Sequence, residues 1–375
     1  WEEIIPETED VLQNVQFFGE KLVATYIHNA SSLVKIFSQR GALLHQLETR
    51  GMGSVSDWSG DPGQQQCFFS FSSFTQPLTI FELNLNNYDA RIFRSSATPF
   101  DSNNYETKQV WYKSYDGTEV PMFIIHKKGL KIDGNRPVLL YGYGGFNVSM
   151  LPDFNITGMH LFPVVLENNG ICAVANIRGG GEFGQAWHRA ATKVEKHKSI
   201  DDFQAAAEYL INNNYTSSKK LAIYGRSNGG LLVGACITQR PDLYRVVIPS
   251  AGILDMYRYH QFTIGWAWAG EYGTVQNREE FDALKYYSPI HNVVPANYPA
   301  TFITTTGEDD RVVPAHSYKF AAELQANQKS DLPVLIRIDT HAGHGAGKSM
   351  NQKINEAADI LAFMFYNFQQ SVNYQ

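Results

Sequence analysis

Long apolar runs, clustered cysteines and a dominant charge are all missing from this 375-residue chain, and each absence removes a class of function. No stretch approaches the roughly 20 apolar residues that cross a bilayer as a helix. No charged-apolar-small leader opens the sequence. With 31 basic and 37 acidic side chains the net charge of −6 is mild, so neither a nucleic acid nor an anionic membrane is implied as partner. Only three cysteines occur, Cys67, Cys172 and Cys236. Their scatter through apolar settings argues against a disulfide frame or a metal site. It points instead to small buried hydrophobes in a reducing, cytoplasmic compartment. The sequons at Asn29, Asn147, Asn155 and Asn214 then read as chance matches. The first residue is Trp1 rather than Met, as in a fragment or a processed form.

What is present divides into two halves. Such a length suits two domains, or one large α/β domain with an appendage. Residues 1–105 read as β structure, with short runs at Lys21–His28, Ser32–Ser38, Leu43–Glu48, Cys67–Phe71 and Leu78–Leu83 between turn clusters such as Ser59-Gly-Asp-Pro-Gly63. Strands at this spacing predict antiparallel meanders, propeller blades or part of a sandwich. Two blades do not close a propeller, which again suggests a truncated chain. Residues 106–375 change character. A hairpin around Asp116-Gly117 leads into apolar strands at Val138–Tyr141, Ile171–Asn176, Leu221–Tyr224, Val246–Ser250, Thr301–Thr305 and Pro333–Ile338. Helical periods intervene at Asp201–Asn212, Leu231–Gln239, Ala315–Gln328 and Asn351–Phe368. Ser199, Asp201 and Asp202 stand where the first of these helices wants capping and dipole-favoured residues. Such alternation predicts a mostly parallel sheet covered on both faces, with an α/β-hydrolase domain as the natural candidate.

The most informative run is Leu221-Ala-Ile-Tyr-Gly-Arg-Ser-Asn-Gly-Gly-Leu231. An apolar strand, Gly225-x-Ser227-x-Gly229 and an apolar helix start together form the signature of a nucleophile elbow. An ordinary strand-to-helix loop is the bland alternative. A serine needs a base, and the base an orienting acid, in the order Ser, Asp/Glu, His for this fold. Thr301–Thr305 ends in Glu308, Asp309 and Asp310, and spacing alone does not choose among the three. Pro333–Ile338 is followed by Thr340-His-Ala-Gly-His-Gly-Ala-Gly347, and of eleven histidines only His341 and His344 lie in this glycine-rich loop. His344, between Gly343 and Gly345, has small neighbours and is the better base. The amide after the nucleophile, Asn228 N–H, is one oxyanion donor. The glycine-rich loop after Val138–Tyr141 offers a second, with Tyr143 as a side-chain candidate, although the same residues also suit a plain glycine turn.

In five motifs the chain resembles the prolyl oligopeptidase family of serine peptidases. They are Leu140-Tyr-Gly-Tyr-Gly-Gly-Phe-Asn147, Ala175-Asn-Ile-Arg-Gly-Gly-Gly-Glu-Phe-Gly184, Gly225–Gly230, Asp309-Asp-Arg-Val-Val-Pro314 and Ala342-Gly-His-Gly-Ala-Gly-Lys348. The likeness runs nearly continuously from about residue 107 to the end. It implies Asp309 as the triad acid with Ser227 and His344, and Tyr143 hydroxyl with Asn228 amide as oxyanion hole. It also implies a proline-binding pocket with Trp268 and Tyr272, walled by Phe146, Ile253 and Val312, and Arg311 as a hydrogen-bond donor to a substrate carbonyl. The expected function is hydrolysis of short peptides after proline, without metal or organic cofactor.

Departures accompany the resemblance. The family carries a complete seven-bladed propeller and a preceding segment, whereas residues 1–105 match about two blades. A monomer is expected with a complete propeller, and association of exposed strand edges otherwise. Arg226 stands where many relatives have a small residue. Glu271, the one acid beside the pocket stretch Phe262–Gly273, leaves open an arginine or lysine specificity. Esterase or thioesterase activity, peptide cyclisation through the same residues, and an inactive chain serving as an interaction protein are the rival readings.

Overall fold

Strand pairing in the computed structural model, which describes residues 1–345 and 347–372, sorts into three sheets. The first is a four-stranded antiparallel meander of β1 (Val11–Phe18), β2 (Lys21–His28), β3 (Ser31–Ser38) and β4 (Leu43–Leu47). The second repeats the pattern with β5 (Ser54–Gly60), β6 (Gln66–Ser72), β7 (Thr79–Asn84) and β8 (Asp89–Ser95). Alternation along β3 and β7 turns one row of side chains inward, so Val34 and Ile36 meet Phe69, Phe71, Phe81 and Leu83 in one core. The five strands anticipated here all form. β1, β5 and β8 were not anticipated, because most of their side chains face solvent and lack an apolar period. In β5 the left-handed Asp57 also bulges the ladder between Ser56 and Ser59. These are the two blade-like units of the all-β segment.

The third sheet has eight strands in the order β16-β15-β14-β13-β11-β12-β10-β9. β9 (Tyr105–Lys113) and β10 (Glu119–Lys127) form the hairpin and join antiparallel to the rest. β11 (Val138–Gly142), β12 (Ile171–Ala175), β13 (Leu221–Arg226), β14 (Val246–Ser250), β15 (Ala300–Thr306) and β16 (Val334–Asp339) run parallel. Strands covered on both faces should be apolar throughout, and β11, β12, β14 and β15 are buried at every position.

The helices are α1 (Leu161–Glu167), α2 (Gly184–Arg189), α3 (His197–Asn212), α4 (Asn228–Gln239), α5 (Ala269–Tyr272), α6 (Arg278–Tyr287), α7 (Ala315–Asn327) and α8 (Met350–Asn367). Apolar residues of α3, α4, α6 and α7 pack on one face of the sheet, and those of α1 and α8 on the other. This is an α/β-hydrolase arrangement carrying an all-β segment. The caps expected for α3 are corrected by the structure: the helix starts earlier, at His197, and no side chain caps it. Asp202 falls beyond capping reach of that start and lies fully buried against the guanidinium of Arg178. The all-β segment docks through Ser54 Oγ, which donates to Pro152 O at 2.8 Å, and through Phe74, whose ring lies against Phe123 and Phe162.

Candidate active site

β13 ends at Arg226 and α4 begins at Asn228, leaving one residue to make the turn. Ser227 makes it with φ 57° and ψ −118°, a conformation that costs a non-glycine residue on the order of 1–3 kcal/mol. Its N–H donates to Ser250 O at 2.9 Å, tying the turn to the end of β14. The flanking glycines are sterically required. A Cβ on Gly225 would stand 2.1 Å from Gly229 O, and one on Gly229 2.7 Å from Gly142 O.

β15 and β16 deliver the partners. His344 Nε2 lies 3.1 Å from Ser227 Oγ, and His344 Nδ1 lies 2.7 Å from Asp309 Oδ2. Asp309 Oδ1 accepts the backbone N–H groups of Arg311 at 3.0 Å and Val312 at 2.8 Å. Both carboxylate oxygens are thus engaged, which directs Nδ1–H toward Asp309 and leaves Nε2 to accept from the serine. The neighbouring acids sit elsewhere: Asp310 is exposed, and exposed Glu308 faces His341 at 3.6 Å.

Tyr143 and Asn228 flank the serine. Burial pushes the Tyr143 phenol above its ordinary range, while its hydrogen bond with Ser227 and the charge of Arg311 pull partly back. The phenol therefore carries its proton at neutral pH. Asn228 opens α4, so its N–H has no carbonyl to bond within the helix. Its side chain bridges two segments: Nδ2 donates to Tyr143 O, and Oδ1 accepts from Tyr272 Oη at 2.9 Å.

The remaining apolar candidates lie in or against one hydrophobic cluster, an apolar patch that reaches this group through Tyr272 and Val312. Ile253, Tyr272 and Val312 belong to the buried core, and half-buried Phe146 and Trp268 pack against it. Phe146 meets Tyr272 edge-on at 5.5 Å, and Trp268 lies parallel to Tyr259 at 6.4 Å. Tyr272 is fully buried with its hydroxyl committed to Asn228, so it backs the patch rather than facing solvent. Arg311 is exposed, and its guanidinium has no ion pair among the described residues.

Residues 158–371 match the prolyl oligopeptidase family, and residues 1–96 match the prolyl oligopeptidase N-terminal β-propeller domain. The chain belongs to the prolyl oligopeptidase family. A prolyl endopeptidase of Elizabethkingia meningoseptica is 46% identical over 368 residues, covering 98% of this chain and 52% of that protein. A solved structure from a study of two prolyl endopeptidases superposes with a TM-score of 0.94 at 41% identity, covering 99% of this chain and 55% of the other. Prolyl oligopeptidase B from Galerina marginata, bound to a 35mer hydrolysis and macrocyclization substrate, gives 0.93 at 37%, covering 99% and 53%. The chain spans about half the length of the curated relatives it matches.

The pairing of several charged groups around this prolyl oligopeptidase-family site escaped sequence reasoning. Arg178 binds Asp202 and the hairpin-turn residue Asp116, both at 2.6 Å, so the glycine-rich loop 179–181 leaves a fixed anchor. Glu182 is buried with Oε2 unpartnered among the described residues, and burial raises its carboxyl to about 7. Lys196 and Glu271 form a buried ion pair at 2.8 Å, extended by His188 at 2.8 Å from the other carboxylate oxygen. Burial alone would raise the Glu271 carboxyl. The Lys196 charge and hydrogen bonds from Lys196, His188 and the Phe146 amide outweigh it and hold the group below its ordinary range. Nothing in the local sequence marks these pairings, because the partners lie 24, 62 and 75 positions apart.

Proposed function

We propose that this chain is a serine endopeptidase acting on the carboxyl side of proline in short peptides. The observation that carries the reading is the unbroken hydrogen-bond relay from Ser227 through His344 to Asp309, opening beside an apolar, aromatic wall. Ser227 Oγ attacks the prolyl carbonyl carbon while His344 Nε2 takes its proton. Asp309 holds the resulting imidazolium in place. The negative oxygen of the tetrahedral intermediate is received by Tyr143 Oη–H and Asn228 N–H. His344 then protonates the leaving amine, and a water, deprotonated by the same ring, releases the acyl group. A pyrrolidine ring lacks a donor and suits a flat indole such as Trp268 between Phe146, Ile253 and Val312. Arg311 donates to the carbonyl preceding the proline in this reading.

Cationic side chains are disfavoured, because the carboxylate of the pocket stretch Phe262–Gly273, Glu271, is already neutralised by Lys196. An amine in place of water would give cyclisation through the same acyl-enzyme. The Galerina relative's macrocyclization substrate makes that the second product to look for. Buried free thiols at Cys67, Cys172 and Cys236 support a cytoplasmic setting. No helix among the described residues is long and apolar enough to cross a membrane.

The test joins a fluorophosphonate label with a panel of Pro, Ala and Arg substrates, reading products by mass. We expect a Ser227 adduct and a preference for Pro over Ala and, most weakly, Arg. A folded chain that takes up no label would overturn the reading.

A further inference from the structure

The segment Gly144–Asn147 is wound in an unusual way. Gly144, Phe146 and Asn147 all have left-handed φ, at +62°, +58° and +58°. For the bulky Phe146 this is an outlier that persists only when its surroundings over-determine it. Those surroundings are the buried ion pair. Lys196 Nζ donates to Gly144 O at 2.8 Å and to Glu271 Oε1 at 2.8 Å, and Glu271 accepts the Phe146 N–H. One member of the pair thus holds the carbonyl before the kink and the other holds the amide after it. Both side chains are nearly sealed from water, at 3% and 4% exposure, so neither contact has a solvent substitute. Lys196 also stands 5.5 Å over the Tyr272 ring, whose hydroxyl reaches Asn228 and through it Tyr143 O. The links close a ring: Lys196, Gly144, Tyr143, Asn228, Tyr272, Glu271.

We propose that Lys196 and Glu271 are positioning residues that clamp the Gly144–Phe146 segment, fixing the Tyr143 phenol over Ser227 and the Phe146 ring in the proline wall together. The inference rests on the catalytic reading given above. Neither residue touches substrate. The clamp makes oxyanion geometry and proline recognition one unit, because the strained segment cannot relax at one end without moving the other. Its outer arm is His188, whose side chain is 21% exposed and binds the second Glu271 oxygen.

Two variants of the whole chain test it, Lys196→Met and Glu271→Gln. Lys196→Met removes the donor to Gly144 O and strands a buried carboxylate. It should lower kcat/KM on a prolyl substrate by about 100-fold, the scale of one misplaced oxyanion donor, chiefly in kcat. Glu271→Gln keeps an acceptor for the Phe146 amide and should lose only about 10-fold. Independently of activity, hydrogen exchange at the Phe146 amide should quicken about 10-fold or more in Lys196→Met, with β13 amides unchanged. The exchange arm separates this proposal from the catalytic reading: a parent chain that hydrolyses nothing sinks that reading alone, and exchange still decides the clamp. If Lys196→Met loses protection in β13 it has unfolded, and Glu271→Gln becomes the deciding variant. Parental exchange at Phe146, with parental kcat/KM where the parent is active, in a folded variant overturns the proposal.

Discussion

The all-β segment and the eight-stranded domain bury very different chemistry. Below residue 105 the polar side chains that are buried are serines and threonines: Thr25, Ser32, Ser70, Ser72 and Thr79. Beyond it the interior holds Arg178, Glu182, Lys196, Asp202, Asp255, Glu271, Asp309 and Glu356. Burying a charge is costly unless it is paired, and replacing a buried pair with hydrocarbon is often neutral or stabilising. The first region is thus built for packing alone. The second accepts desolvation where groups must be held at fixed positions and fixed charge, the pattern expected around reacting atoms.

That contrast can be broken or sharpened by experiment. The largest effect should come from Ser227→Ala, which should lower kcat on a prolyl substrate by about 10⁶-fold while thermal unfolding stays near the parent. Asp309→Asn should cost about 10⁴-fold, because the amide turns the His344 ring to the wrong tautomer. Comparable loss from a substitution in the all-β core would undo the contrast. Phe81→Ala supplies that control. It deletes a ring stacked 5.3 Å from Phe69 and should destabilise by about 3–5 kcal/mol in denaturant titration, leaving kcat of the folded chain on a dipeptide unchanged.

A smaller effect belongs to Glu182, whose folded value of about 7 stands above its ordinary 4.5. The folded state then holds a proton that the unfolded state has released. Stability from this group is full below about pH 4.5, falls as pH rises to about 7, and is level above, a swing on the order of 3 kcal/mol. Glu182→Gln should flatten that slope in melting curves. An unaltered slope would place the titrating group elsewhere. Smallest is Trp268→Ala, expected to lower selectivity for Pro over Ala by about tenfold while sparing acylation by an activated ester. Equal losses on both would remove the indole from the pocket.

How much was legible in the sequence follows the same divide. Strands covered on both faces advertise themselves as apolar runs, so β11 through β15 and the elbow at Ser227 could be read directly. The outer strands β1, β5 and β8 carry mostly solvent-facing residues and gave no period. Among Glu308, Asp309 and Asp310, spacing was silent. The choice depends on a turn in which the Arg311 and Val312 amides fold back on one carboxylate, and that becomes visible only in three dimensions. The clamp pairing was invisible for a related reason. Lys196 and Glu271 are 75 positions apart, and Glu271 read as an acid of the pocket stretch gave no sign of its partner.

The order of strands at the far half of the large sheet carries a consequence for folding. Ser227 and His344 are 117 positions apart, with Asp309 between them and 35 positions before His344, and all three rest on β13, β15 and β16, with β14 between. Their meeting requires the parallel register Thr301↔Val334 and its neighbours. A slip of one residue in β16 would turn its side chains to the opposite face and carry the loop bearing His344 out of register with it. Return of serine reactivity during refolding is therefore a readout of the register from β13 to β16, and it runs blind to the two antiparallel sheets at the other end of the chain.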